Sequence, residues 1–461
     1  MNQMNADELF YTKKSVYDKL DENMIDNAYE YAKGYMAYLD AAKTERESVT
    51  EGIKMAEAAG FVPYTWGQKV QPGDKYYYDN RGKNLFLFTI GTEDLNEGGF
   101  RISAAHVDSP RIDLKQCPVY EDNGIGYFKT HYYGGIRKYQ WVTIPLALHG
   151  VVVKADGTVV NVVIGEDETD PVFYITDLLP HLAGSTNSKP LGEAIPGEKL
   201  NIVVGSRPAK DSSKDSVKLN VLRALYEKYG IVEEDFLSAE LSAVPTYKAR
   251  DVGFDRALIA AYGHDDRVCA YPALTAIIDN KDSVHSQMCI LADKEETGSD
   301  GTSGMQCDLM LDLIDEVCAC LGANPAKVRS NSKCLSADVS AAYDPNFADV
   351  FEKRNTPLLS SGVVLTKYTG SRGKGGTNDA SAEYIGWLRG VMAKDAIVWQ
   401  AGELGKVDAG GGGTVAKFIS KHNIETVDLG VPVLSMHAPY EMISKVDLYE
   451  AYRAFSAFAK Y

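Results

Sequence analysis

The sequence lacks any apolar run of the roughly 18 residues that a membrane span requires. Its opening stretch, MNQMNADELFYTKK, has no apolar core of the kind a secretory signal needs. Basic charge is scarce. There are 48 Lys and Arg against 64 Asp and Glu, for a net charge of −16. That balance excludes broad contact with nucleic acid or an anionic membrane, both of which want a basic face. It leaves room for a local basic pocket. The seven cysteines are odd in number, sit mostly in apolar runs such as 288–292, and form no CxxC pair of the zinc-ribbon kind. Reduced, buried thiols in a cytoplasmic protein are therefore expected. There are no internal repeats or low-complexity tracts, and the glycine run 410–413 is too short to be a linker.

What remains is an ordinary globular composition, 45% hydrophobic and 24% charged, over 461 residues. That length suggests about three units and a core that needs no disulfide to fold. Residues 12–60 read as helical, with Tyr31, Tyr35, Tyr38 and Leu39 at helical spacing and Gly60 closing the run. Residues 84–91 and 99–107 read as strands. The block 118–254 differs in texture. Runs 142–154 and 158–164 flank the turn signal Asp156-Gly157, 185–213 reads as loops, and 216–229 reads as a helix capped by Asp215 and ended by Gly230. It is expected to be a separate β-rich domain inserted into the first. From residue 255 onward, short apolar runs at 288–292, 334–337 and 432–436 alternate with helical stretches. That pattern implies an α/β sheet covered on both faces. The expected organisation is a catalytic α/β domain, 1–117 plus 255–461, around a mixed sheet flanked by helices, with 118–254 inserted.

Five segments share one feature, an apolar strand-like run that ends in a metal-competent residue. They are SAAHVD around His106, GHDDR around Asp265, LADKEE with Glu295 and Glu296, SAD with Asp338, and LSMH with His437. Ligands of open α/β sheets bind beyond the carboxyl ends of the strands, so five such ends can converge on one place. Two imidazoles with several carboxylates suit zinc, cobalt or manganese. Two such ions about 3.5–4 Å apart can share one carboxylate and acidify a shared water. His106 and Asp108 face the same way on a strand, so Asp108 is placed to orient the His106 ring. Glu295 and Glu296 point apart, so one can bind metal while the other moves a proton.

Each element has a plainer explanation when taken alone. An HxD pair usually consists of polar side chains facing solvent, adjacent acids usually start a solvated helix, Asp265-Asp266 can be an N-cap, and a histidine at a strand end is usually a hydrogen-bonded core residue. The order of the whole set is what carries weight. In that order the segments SAAHVDSPRIDLK, FDRALIAAYGHDDRVCAYPAL, DKEETGS, SADVSAAYDPN and VDLGVPVLSMHAPYEM resemble the M18 family of metalloaminopeptidases across nearly the whole chain.

The resemblance implies a zinc-peptidase-type fold with an inserted oligomerisation domain. It also implies two divalent ions, zinc or else cobalt or manganese, and removal of N-terminal residues from peptides. It assigns His106 and Asp338 to one metal, Glu296 and His437 to the other, and Asp265 to both. Glu295 becomes the general base and Asp108 the partner of His106. His181 matches a histidine lent to a neighbouring subunit's active site, where it would polarise the scissile carbonyl. Gly413 and Thr414 match a substrate-side loop. A cis peptide at Asp265–Asp266 and a tetrahedral dodecamer are further implications.

Two departures from the family pattern bear on pocket shape. Asp338 is followed by Val-Ser-Ala-Ala-Tyr-Asp rather than histidines, and the segment before Gly413 is longer and richer in glycine. Arg372 and Lys374 are the candidates for reading an acidic substrate side chain; a mobile solvated loop is the competing explanation. The rival functions are a deacylase or carboxypeptidase on the same scaffold, and a non-catalytic self-assembling cargo or scaffold protein.

Overall fold

In this computed structural model the described residues are 9–212, 214–280 and 284–461. Most of the opening stretch read for a targeting signal, residues 1–8, lies outside them. Nine strands form a central mixed sheet in the order 62–63, 75–80, 84–89, 286–292, 100–106, 333–336, 425–430, 363–366, 399–401. The middle of this sheet is parallel, as in the pairing of Leu291 with Ala105 and of Leu335 with Ser103.

The unbroken apolar runs are explained by burial on both faces. In Asn84–Thr89, Leu85 and Leu87 enter one core while Phe86 and Phe88 enter another. The first core also receives the helices Glu22–Ala41, His264–Asp279, Ala382–Lys394 and Lys445–Lys460; the second receives Leu309–Leu321. A strand read by both faces shows no alternation in sequence, which is why 85–88 and 288–292 look uniformly apolar.

The helical reading of 12–60 resolves into two helices, Glu22–Ala41 and Glu45–Ala58. Thr44 accepts from the Glu47 amide while the Glu47 carboxylate accepts back from Thr44, a capping box that starts the second helix. The helix Ser216–Tyr229 is present and ends on Gly230 at φ +66. Its cap differs from the expectation. Asp215 is itself left-handed and caps nothing, and the Glu121 carboxylate accepts the amides of Val217 and Lys218 instead. The loop reading of 185–213 also misses the strand Ile202–Gly205. With four residues it was too short to register in a Gly- and Pro-rich surround.

A second, seven-stranded sheet draws its strands from Arg111 to Pro245 and encloses its own core around Trp141, Leu146 and Ile202. Its turn at Asp156-Gly157 joins Leu146–Val153 to Val159–Ile164. A third sheet of five strands carries Leu258–Ala261, Pro432–Leu434 and Glu441–Ser444. All seven thiols are free; Cys269, Cys289, Cys318 and Cys334 are buried, whereas Cys117 and Cys320 are exposed. No helix among the described residues is long and apolar enough to cross a membrane.

The seven-stranded sheet meets the first helices through a buried charge cluster. His149 lies 2.7 Å from Glu47 and 3.1 Å from Glu166. Lys43 and Lys248 both donate to Glu166. Burial alone would lower the His149 imidazole, but Glu166 and Glu47 outweigh it and raise it. Burial alone would raise Glu166, but His149, Lys43 and Lys248 bring it down to about 2.

A raised histidine contributes stability that is complete below its unfolded pKa of about 6.5 and is lost as pH rises through the folded value. A depressed carboxylate contributes above about 4.3 and is lost only as pH falls through its folded value. The cluster is therefore strongest between about pH 4.5 and 6.5. His149→Gln is expected to cost about 1.5–3 kcal/mol in chemical denaturation at pH 6, the range for hydrogen bonds to charged groups. The deficit should shrink at alkaline pH. A deficit constant from pH 6 to 10 would show that the ion pairs contribute nothing.

Candidate active site

Three of the expected ligand segments leave adjacent parallel strands of the central sheet. His106 is the last residue of Phe100–His106, Glu295 and Glu296 follow Ser286–Ala292, and Asp338 lies two residues past Lys333–Ser336. The other two come from elsewhere. Asp265 follows Leu258–Ala261, and His437 follows Pro432–Leu434, both strands of the five-stranded sheet. The expectation of five ends on one sheet edge is thus corrected to three ends of one sheet facing two of another. Short apolar runs in sequence do not declare which sheet they join.

Asp265 stands at the centre. Its Oδ1 is 3.1 Å from His106 Nε2 and its Oδ2 is 3.2 Å from His437 Nε2. Asp338 Oδ1 lies 3.9 Å from His106 Nε2, and Glu296 Oε1 lies 3.5 Å from His437 Nε2. Ligand atoms of His106, Asp265 and Glu296 fall within 4.8 Å of one another, as do those of His106, Glu295 and Asp338. The Asp265–Asp266 peptide is cis. Beneath the turn, the fully buried Arg267 donates to the carbonyls of Ala42 and Lys43 and to Ser109 Oγ. Ser109 in turn donates to the Asp265 carbonyl, 2.7 Å away.

Both imidazoles are oriented by their outer nitrogen. His106 Nδ1 donates to the Asp108 carbonyl at 2.9 Å, and His437 Nδ1 donates to the Gly135 carbonyl at 2.7 Å. Each Nε2 is left facing the carboxylates, the arrangement a metal-ligating histidine needs. The Asp108 carboxylate has a further task beside the His106 ring. It sits 3.4 Å from His106 Nδ1, and it accepts the amides of Glu295 and Glu296 and the hydroxyl of Tyr133. It therefore fixes the Glu-Glu segment as much as the ring.

Buried Asp265 Oδ1 and Glu296 Oε1 have no hydrogen-bond partner. Orphaned carboxylate oxygens in a buried acid cluster are costly unless a cation compensates them. Burial pushes Asp338 and Glu296 well above the usual carboxylate range, and the Asp265 charge adds to it. Burial likewise raises Glu295. Divalent cations fit this donor set of two imidazoles and several carboxylates.

The site opens on a cavity of about 470 Å³ whose lining includes Asp265, Glu295, Glu296, Asp338 and His437 together with Gly413 and Thr414. Arg372 and Lys374 are not among its lining residues; they line a smaller neighbouring pocket, where Lys374 is tied to Asp379. The lysine that lines the main cavity is Lys417, together with the acids Glu403 and Asp428. Asp428 is buried, one of its oxygens has no partner, and burial pushes it up to about 7. His181 does not line the cavity. It is exposed on the turn Pro180–Leu182, beside exposed Leu178, Leu179 and Leu182.

Sequence reasoning missed Tyr133, Gly135, Lys417, Asp428 and Glu441. Glu441 had a faint signal, an acid four residues after His437 in MHAPYE. Tyr133 and Gly135 had none, because they belong to the block 118–254 that was read apart from the site.

A helix-covered mixed sheet, with an acid held between two imidazoles at its carboxyl edge, defines a metal-dependent hydrolase of the zinc-peptidase type. The profile of the family described as "Aminopeptidase I zinc metalloprotease (M18)" matches residues 38–459. A probable M18 family aminopeptidase 1 of Clostridium acetobutylicum is 49% identical over 454 residues, covering 96% of this chain and 97% of that protein. The crystal structure of an M18 family aminopeptidase from Thermotoga maritima superposes with a TM-score of 0.93 at 41% identity, covering 98% of this chain and all of that one. The chain belongs to the M18 family and is a metalloaminopeptidase. The fold extends to a Saccharomyces cerevisiae mApe1 dodecamer, with a TM-score of 0.76 at 21% identity over 94% of this chain and 97% of that one.

Proposed function

We propose that this metalloaminopeptidase is dinuclear, and that it removes single N-terminal residues from peptides with Glu295 as general base. The observation that supports this most is Asp265, whose two oxygens each face a different imidazole at 3.1 and 3.2 Å. A carboxylate so placed is suited to span two ions, with His106 and Asp338 around one and Glu296 and His437 around the other. Zinc is the ion of choice, with cobalt or manganese as substitutes. Such a pair supplies an acidified water and a polarised carbonyl.

The chain's own residues do the rest. Glu295, half-buried beside His106 and Asp338, takes the proton of the attacking water and hands it to the departing amine nitrogen. Asp108 holds the Glu295 and Glu296 amides, so the base and its neighbour keep their separate directions. Gly413 presents backbone without a side chain to the peptide, and Thr414 lies at the cavity wall. The block 118–254 serves in assembly, and the exposed His181 enters a neighbouring copy's site within a closed homododecamer.

The experiment is hydrolysis of aminoacyl-nitroanilides against their N-acetylated counterparts, with added Zn²⁺, Co²⁺ or Mn²⁺. Only free-amine substrates should be cleaved, and EDTA should abolish the rate. Cleavage of the acetylated forms would favour a deacylase.

A further inference from the structure

We infer that Glu441 is a positioning residue that holds one of the two metal positions, the one built on His437. The inference rests on the dinuclear reading above.

Glu441 begins the strand Glu441–Ser444, is 1% exposed, and pairs with Ala261, the last residue of the strand that leads to Asp265. Its two carboxylate oxygens are divided between two loops. Oε1 accepts the amide of His437 at 2.7 Å, and Oε2 accepts the amide of Asp265 at 3.1 Å. One side chain thus sets the spacing between the shared acid and the second imidazole, whose side chains meet at 3.2 Å. Hydrogen bonds are directional, and two accepted by one carboxyl group fix two backbones relative to each other.

The two loops do not depend on it equally. The Asp265 turn has a second tie, Ser109 to the Asp265 carbonyl, with the buried Arg267 behind Ser109. His106 is the end of a paired strand, with its ring on the Asp108 carbonyl. His437 has less support. It follows a three-residue strand, and both it and Ser435 take left-handed backbone, at φ +64 and +60, that side chains other than glycine seldom adopt. Such a conformation persists only when its surroundings impose it. The Glu441 carboxylate holds the His437 amide, and Gly135 holds the far side of the ring. Loss of Glu441 should therefore loosen His437 while leaving the His106 and Asp338 position in place.

The test is titration of metal-free protein with Zn²⁺ against a competing chelator dye, resolving two successive affinities, for wild type and Glu441→Gln. Gln keeps one acceptor oxygen but turns an NH₂ against the other amide. One affinity should fall about 10–100-fold, the range for groups that support a metal ligand. The other should stay within about 2-fold. Repeating the substitution on His437→Ala supplies the readout that a purely structural role would not move, since Glu441→Gln should then weaken binding no further. Equal weakening of both affinities, no weakening, or an undiminished effect without His437 would overturn the inference.

If Glu441→Gln does not fold, Glu441→Asp, too short to reach both loops, takes its place in the same titration. Failure of both to fold would also overturn it, by making Glu441 a folding requirement. Wild-type protein that binds fewer than two ions would instead refute the dinuclear reading, independently of Glu441.

Discussion

Glu295→Gln is expected to lower kcat by roughly 10²–10⁴-fold, the span a positioned general base supplies, while metal content stays at the wild-type level. The amide is the same size and its backbone N–H still reaches Asp108 Oδ1, 3.2 Å away. Only the capacity to take and return a proton is removed. The neighbouring substitution is the control. Glu296 Oε1 is a buried oxygen without a partner, 3.5 Å from His437 Nε2. Glu296→Gln should therefore lose metal first and rate as a consequence, with activity partly restored by excess Zn²⁺. Steady-state kinetics beside elemental analysis separates the two. If Glu295→Gln kept the wild-type rate, or if it lost metal while Glu296→Gln did not, the assignment of base and ligand would be wrong.

Asp265→Asn is expected to remove both ions together and to bring activity to background. The carboxylate faces both imidazoles; burial alone would raise it, but His106 and His437 outweigh burial and hold it well below the usual carboxylate range. Asparagine fits the space but presents an NH₂ to one of the two Nε2 atoms. Asp338→Asn touches only the His106 side, 3.9 Å from that ring, and should lose one ion. The difference, two ions against one per chain, is what elemental analysis reads. Since an ion held at a thousand times its Kd stabilises the folded chain by about 4 kcal/mol, the Asp265 variant should also unfold near the temperature of EDTA-treated wild type. An Asp265 variant that retained one tightly bound ion would refute the shared-ligand geometry.

The order of ligand segments along the chain was legible because strand ends announce themselves, an apolar run and then an abrupt acid or histidine. His106, Glu295, Glu296 and Asp338 all follow that grammar on neighbouring strands of the central sheet. The helix 216–229 was legible from its periodicity and its terminal Gly230. Its cap was not, because the capping Glu121 is nearly a hundred residues away and the local Asp215 looked sufficient. Arg372 and Lys374 could be read by composition either as cations for an acidic side chain or as a solvated loop. Folding gives Lys374 to Asp379 and sets Lys417 on the cavity wall instead.

By itself the sequence determined the residue types that can hold metal, the alternation that makes a helix-covered sheet, and a net charge of −16. Those are properties of short segments, set by local propensity and burial period. Only the tertiary structure decided that Asp265 and His437 arrive from a different sheet and that Asp108 serves the Glu295 and Glu296 amides. It alone decided that Tyr133 and Gly135 of the β-rich block reach Asp108 and His437, and that Glu441 ties two loops together. These are contacts between groups from 4 to 302 residues apart. Their geometry depends on how the sheets pack, which no local pattern encodes.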